Sequence, residues 1–118
     1  SRFIPEVEYI MANRYRHQLI QQMDKLLQEV DVIVAPSRSR DYYQLLITNM
    51  TGHPVVVVPN GFDEDGNPQS VTFIGKLYDE ATILEVAKAY QDATDHDEQH
   101  PEMFISEPVT ALSTAEAQ

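Results

Sequence analysis

Hydroxyls close to turns are the first place to look for a nucleophile, and here these are Ser37, Ser39, Thr48, Thr51 and Ser70. A serine nucleophile needs a base within reach and donors for the oxyanion. None of these residues lies in a Gly-x-Ser-x-Gly elbow. Ser37 and Ser39 follow an apolar run, Val32-Ile33-Val34-Ala35, that reads as a strand. The end of a strand is where α/β proteins place functional groups. Arg38 and Arg40 beside them suit an anion, but a serine-containing loop after a strand is most often only a loop.

The histidines offer a second chemistry. His96 and His100 are four apart, a spacing that lets one helix face present two imidazoles to a metal. Asp95, Asp97 and Glu98 surround them, but the third ligand of a complete site is missing, so the segment reads as a solvated helix end. His17, on a helix flank, and His53, before Pro54, read as structural. The run Asp63-Glu64-Asp65-Gly66-Asn67 has the flavour of a calcium loop but lacks the downstream glutamate and following helix. It reads as a hairpin loop. No phosphate loop, dinucleotide fingerprint or basic aromatic patch is present. With no cysteine in the chain, disulfides, thiolate nucleophiles and cysteine-ligated zinc are excluded. No complete active site, no metal site and no cofactor are expected of these residues.

The elements that must position such groups follow from periodicity. Residues 5–30 read as one helix: Pro5 suits its first turn, and Glu6 and Glu8 complement its dipole. Val7, Met11, Tyr15, Leu19, Met23, Leu26 and Val30 step by three or four, giving one core stripe. Residues 32–35 and 55–58 are short β-branched runs closed by prolines, the pattern of strands buried on both faces. Asp41 to Asn49 reads as helix, ended by Thr51-Gly52. Asp65-Gly66 followed by Asn67-Pro68 is turn chemistry, and Gln69 to Leu77 alternates, so the second and third strands pair antiparallel around that loop. Asp79 caps a last helix over residues 82–94. Residues 105–118 are small and polar and read as a flexible tail.

Alternation of helices and strands indicates an α/β layered fold. Three strands make a thin sheet and two covering helices are barely enough for it. The strands therefore read as one side of a larger sheet. The chain starts Ser1-Arg2-Phe3 without Met, and Met11 lies inside the amphipathic pattern, so the start reads as an internal cut.

The chain has 118 residues, 42% of them hydrophobic, enough for one core or part of one. Its net charge is −11 and is unevenly placed: residues 1–59 balance, while residues 60–118 carry thirteen acids against Lys76 and Lys88. That excess argues against direct nucleic-acid binding, which needs a clustered basic face, and against anionic membranes. No run approaches a membrane span or a signal-peptide core. A stand-alone acidic interaction module is one reading of the charge; a solvated acidic face is the plainer one.

Several segments in order resemble the C-terminal part of the amidase signature family. These are Asn49-Met50-Thr51-Gly52-His53-Pro54, then Val55 to Val58 with Pro59-Asn60-Gly61-Phe62, then Gly66-Asn67-Pro68, Phe73-Ile74-Gly75, and Tyr78 to Leu84. Asp31 to Ser37 looks like the family's preceding strand, Arg14 and Arg16 fall where its helix carries arginines, and Thr94-x-His96 with Pro101 looks like its usual ending. The family's Pro-x-Gly-x-Gln is replaced here by Pro68-Gln69-Ser70-Val71-Thr72. The tRNA-dependent amidotransferase A subunits, similar to amidases, tend to carry an aspartate seven residues before the asparagine. Tyr42 stands there, with Asp41 one position off, which leans toward a general amidase.

The resemblance implies an α/β fold, the C-terminal part of an α/β/α layered amidase-type fold with a mixed sheet flanked by helices. Residues 1–104 would be the C-terminal fragment of an amidase-like domain. The parent would cleave a carboxamide C–N bond through a serine acyl-enzyme, in the cytoplasm. Its Lys-Ser-Ser machinery would lie N-terminal to this region, so no catalytic residue is carried over. Ser37, Asn49, Thr51 and Gly52 would wall the substrate channel. The implied partners are the N-terminal catalytic part and a small amide substrate. Exposed strand edges would also favour homo-oligomers.

Overall fold

The computed structural model describes residues 3–37 and 43–101. The elements run α1 (Glu6–Leu27), β1 (Ile33–Pro36), α2 (Tyr43–Thr51), β2 (Val55–Phe62), β3 (Pro68–Ile74) and α3 (Glu80–Asp92). The order matches expectation, with boundaries displaced by one to a few residues. The expected tail over 105–118, and Arg38, Ser39, Arg40, Asp41 and Tyr42, lie outside the described residues.

The sheet has the order β1-β3-β2, with β3 in the centre. Both pairings are antiparallel. Parallel pairing, which a mixed sheet needs, is absent among the described residues. The β2–β3 pairing around the Asp63–Asn67 loop is as expected. Register aligns Val34, Phe73 and Val56 across one face, and Ile33, Ile74 and Val55 across the other.

The core lies on the first of these faces. Val58 and Phe73 pack against Ile83 and Ala87 of α3, with Val32, Val56, Val71 and Tyr90 around them. Burying a side chain such as Phe73 contributes about 1.5–3 kcal/mol. Its ring meets Tyr90 at 5.8 Å between centroids, tilted, a favoured aromatic geometry. Gly75 lets α3 approach: a Cβ there would stand 2.5 Å from Ile83 Cγ2. On the opposite face Met23 and Leu26 of α1 and Ile47 of α2 line a cavity of about 190 Å³ with Ile33, Ala35 and Ile74.

Three expectations change. Of the α1 stripe only Met23 is buried, and the other buried position of the helix is Leu27, which the stripe leaves out; Val7, Tyr15, Leu26 and Val30 are all exposed. The runs at 32–35 and 55–58 are not buried on both faces, since Val34, Val55 and Val57 are exposed. Sheet edges and a second face with only partial helix cover leave them open. Finally, β2 does not stop at Pro59 but continues to Phe62 through a bulge. Proline is tolerated there because β2 is an edge strand, whose outward N–H groups need no ladder partner.

Candidate functional site

The four residues expected to wall a channel fall into two groups. Asn49, Thr51 and Gly52 sit together where α2 ends. The helix closes at Gly52, whose N–H donates to Thr48 O at 2.7 Å. Its φ of +79° is the left-handed conformation that ends helices and favours glycine. Asn49 and Gly52 are exposed, and a Cβ on Gly52 would meet nothing within 4 Å. Thr51 is buried and does not reach a surface. Ser37 is tied to β3 instead: its N–H donates to Ser70 O at 3.2 Å, and its hydroxyl shares a 2.7 Å hydrogen bond with Thr72. Thr72 is wholly buried.

The turn after Thr51 carries a group whose role the sequence conceals. His53 is 4% exposed, with Nδ1 2.8 Å from Thr51 Oγ1. Thr51 Oγ1 also lies 2.9 Å from Ile47 O, to which it donates. A threonine hydroxyl has one proton. That proton is spent on the helix carbonyl, so Nδ1–H donates to Thr51 and Nε2 is left as a bare acceptor. Nε2 is buried and finds no partner among the described residues. The pair therefore has the wrong polarity for an activated hydroxyl, because the imidazole gives its proton to the oxygen instead of taking one.

Burial pushes the His53 imidazole below its ordinary pKa, and the Asp24 carboxylate opposes that shift. Asp24 belongs to α1, which also fastens this end of α2 by donating Arg16 Nε to Met50 O at 2.6 Å. This gives Arg16 a positioning role. The site is thus a helix end held against α1, with a neutral histidine folded underneath.

His96 is the other histidine with a buried ring nitrogen, Nδ1, that finds no partner among the described residues. The His96 ring lies on the β2 bulge, where a Cβ on Gly61 would stand 3.1 Å from its Nδ1. It also faces Tyr90 at 6.4 Å between centroids. Tyr90 Oη in turn donates to Asn60 Oδ1. Among the described residues no group of three or more His, Asp or Glu stands together to hold a metal. Asp63 Oδ1 and Oδ2 accept from Asp65 N, Asn67 N, Asn67 Nδ2 and Gln69 Nε2. Its carboxylate is turned inward to hold the hairpin loop. A groove of about 620 Å³ runs along α1 past Ile10, Arg14 and His17, but its described lining comes from that one helix and brings no groups together. No helix among the described residues is long and apolar enough to cross a membrane.

These strands and helices match part of a known α/β fold. A crystal structure of an amidase family protein from Bacillus anthracis superposes with a TM-score of 0.72 and 22% identity. The match covers 85% of this chain and 19% of that one. By sequence, the A subunit of glutamyl-tRNA(Gln) amidotransferase from Oceanobacillus iheyensis is 29% identical over 112 residues, spanning 80% of this chain and 23% of the relative. The protein of the same name from Lysinibacillus sphaericus is 31% identical over 113 residues, spanning 81% and 23%. No family model matches the chain. The chain belongs to the amidase signature family. It spans under a quarter of the length of these curated relatives.

Proposed function

We propose that this chain is the C-terminal segment of an amidase-signature hydrolase, whose whole protein cleaves carboxamide C–N bonds through a serine acyl-enzyme. The observation that carries the reading is the run of family-like segments from Asn49 to Leu84 on an antiparallel sheet and helices that superpose on part of an amidase family protein. In this reading residues 1–104 form one edge of an α/β/α layered domain. The rest of that domain supplies further strands, a mixed sheet and the Lys-Ser-Ser set. Ser37, Asn49, Thr51 and Gly52 form one wall of its channel; Asn49 and Gly52 are exposed, and Thr51 shapes the turn from beneath. The partners are the N-terminal catalytic part and a small amide, in the cytoplasm, without nucleic acid as a direct ligand.

A second reading is favoured by what the sequence relatives are. The parent would be an amidotransferase A subunit that releases ammonia from an amide for a partner handling mischarged tRNA.

The test has two parts. The purified chain is assayed with glutamine and with simple aliphatic and aromatic amides. No turnover is expected, and serine-dependent turnover by the chain alone would overturn the reading. The full coding sequence is then expressed. Hydrolysis of simple amides supports the first reading, and glutaminase activity dependent on an added partner protein supports the second.

A further inference from the structure

We propose that His53 is a proton-sensitive latch that holds α1 against the end of α2 while neutral and releases it when protonated. The geometry carries this. Nδ1–H is committed to Thr51, whose own proton is committed to Ile47 O. A second proton can enter only at Nε2. That atom is sealed from solvent and faces no acceptor among the described residues. A buried cation with an unpaired donor is among the costliest arrangements a fold can hold. The structure relieves it by opening whichever wall is held least firmly.

That wall is α1. Only Met23 and Leu27 are buried along its 22 residues. Its hold on the end of α2 includes the Arg16–Met50 hydrogen bond. The charges around the imidazole can be named. On α1, Asp24 favours the proton, while its Oδ2 also accepts from Gln28 Nε2 at 3.3 Å, and Arg16 is occupied by the Met50 carbonyl. From Leu45 to Thr51, α2 has no ionisable side chain, and neither have β2 and β3. The apolar core that includes α3 lies on the other face of the sheet. Nothing on those elements offsets a charge at Nε2. The downward pull of burial on this histidine agrees with the same picture.

The experiment uses the full chain. It has no cysteine, so spin labels attach only where cysteines are introduced, at Gln22→Cys on α1 and Leu46→Cys on α2, both exposed. Interspin distances are measured at about pH 7.5 and about pH 5, which bracket the histidine range. The expected result is one short distance at the higher pH and a longer, broader population growing at the lower. His53→Phe keeps a ring that cannot titrate and should stay short at both. Asp24→Asn removes the charge that favours the proton, so its midpoint should move to lower pH. If His53→Phe does not fold by circular dichroism, His53→Gln takes its place. An unchanged distribution in the parent chain overturns the proposal. So does a long population that persists in the His53 variant, or an Asp24→Asn midpoint that moves to higher pH.

Discussion

Ser37, at the end of β1, and Thr72, in the middle of β3, share a 2.7 Å hydrogen bond between their hydroxyls. Thr72 is wholly buried and Ser37 only half-buried, so the two ends of the bond are not equivalent. Removing Ser37 strands a hydroxyl in the interior, whereas removing the Thr72 hydroxyl leaves one that water can reach. Ser37→Ala is therefore expected to cost about 1–3 kcal/mol and Thr72→Val about 1 kcal/mol or less. Ser37 makes other interactions too, so the double variant isolates the pair. It should fall short of the sum by roughly 1 kcal/mol. Urea midpoints of the four proteins measure this, and additive losses would refute the pairing.

Two glycines should fail for different reasons. Gly75→Ala drives a methyl into Ile83 Cγ2 under α3. Overpacking of that kind costs about 1–3 kcal/mol. Gly52→Ala meets open space, so only the left-handed backbone opposes it, at about 1–2 kcal/mol. Gly52→Asn, which tolerates that conformation, should recover much of the loss, while Gly75→Asn should be worse than Gly75→Ala. Thermal unfolding of the four variants separates the two mechanisms.

The hairpin loop should be acid-labile. Hydrogen bonds from Asn67, Asp65 and Gln69 hold the Asp63 carboxyl below its usual value of 3.8. A depressed carboxyl contributes stability that is fully present above the unfolded value and is lost as pH falls through the folded one. An NMR titration of Asp63 should give a midpoint under 3.8, with amide protection of Asn67 lost over the same interval. A midpoint at or above the ordinary value would contradict the loop geometry.

The exposed half of α1 should drive self-association. Val7, Met11 and Tyr15 lie on one stripe at 71%, 40% and 64% exposure. Val7→Lys with Met11→Gln should lower the weight-average mass seen in sedimentation at high concentration. It should leave the unfolding midpoint nearly unchanged, since neither side chain is part of the core. A parent chain that sediments as a monomer throughout would exclude this surface as the source of contacts.

His53 gives folding stability a pH dependence opposite in sense to that of a histidine gaining a charged partner. Its folded pKa is lowered, so the unfolded chain binds the proton more tightly. The contribution is complete above the unfolded value of 6.5 and declines as pH falls from there toward the folded value. The urea midpoint of the parent should fall on acidification relative to that of His53→Phe. Parallel curves would show that His53 does not titrate differently on folding.

Much of the architecture was legible because its signals are local. The proline-bracketed valines, the Asp65-Gly66 and Asn67-Pro68 dipeptides and the periodicity of α3 each depend on near neighbours. What sequence could not supply was cover. The α1 stripe has the same spacing along its length, yet it is core only where α2 and the sheet lie beneath it. The valines of β2 look alike in a row, but Val58 faces α3 while Val57 does not. The functional residues were legible in the same uneven way. The Gly52 turn follows from its composition. The tautomer of His53 depends on a carbonyl four residues before Thr51, and no spacing rule points there. Thr72 carried a faint signal, as a polar residue between Val71 and Phe73 and therefore on the opposite face.

The central place of β3 has a consequence for the order in which the chain assembles. Its partner β2 is reached through one short loop, so that ladder can zip from the Asp63 turn at little cost in chain entropy. Its other partner, β1, must bring Ile33 to Ile74 across the whole of α2 and the hairpin. The hairpin and α3 are thus the natural nucleus, and β1 arrives late, bringing α1 with it.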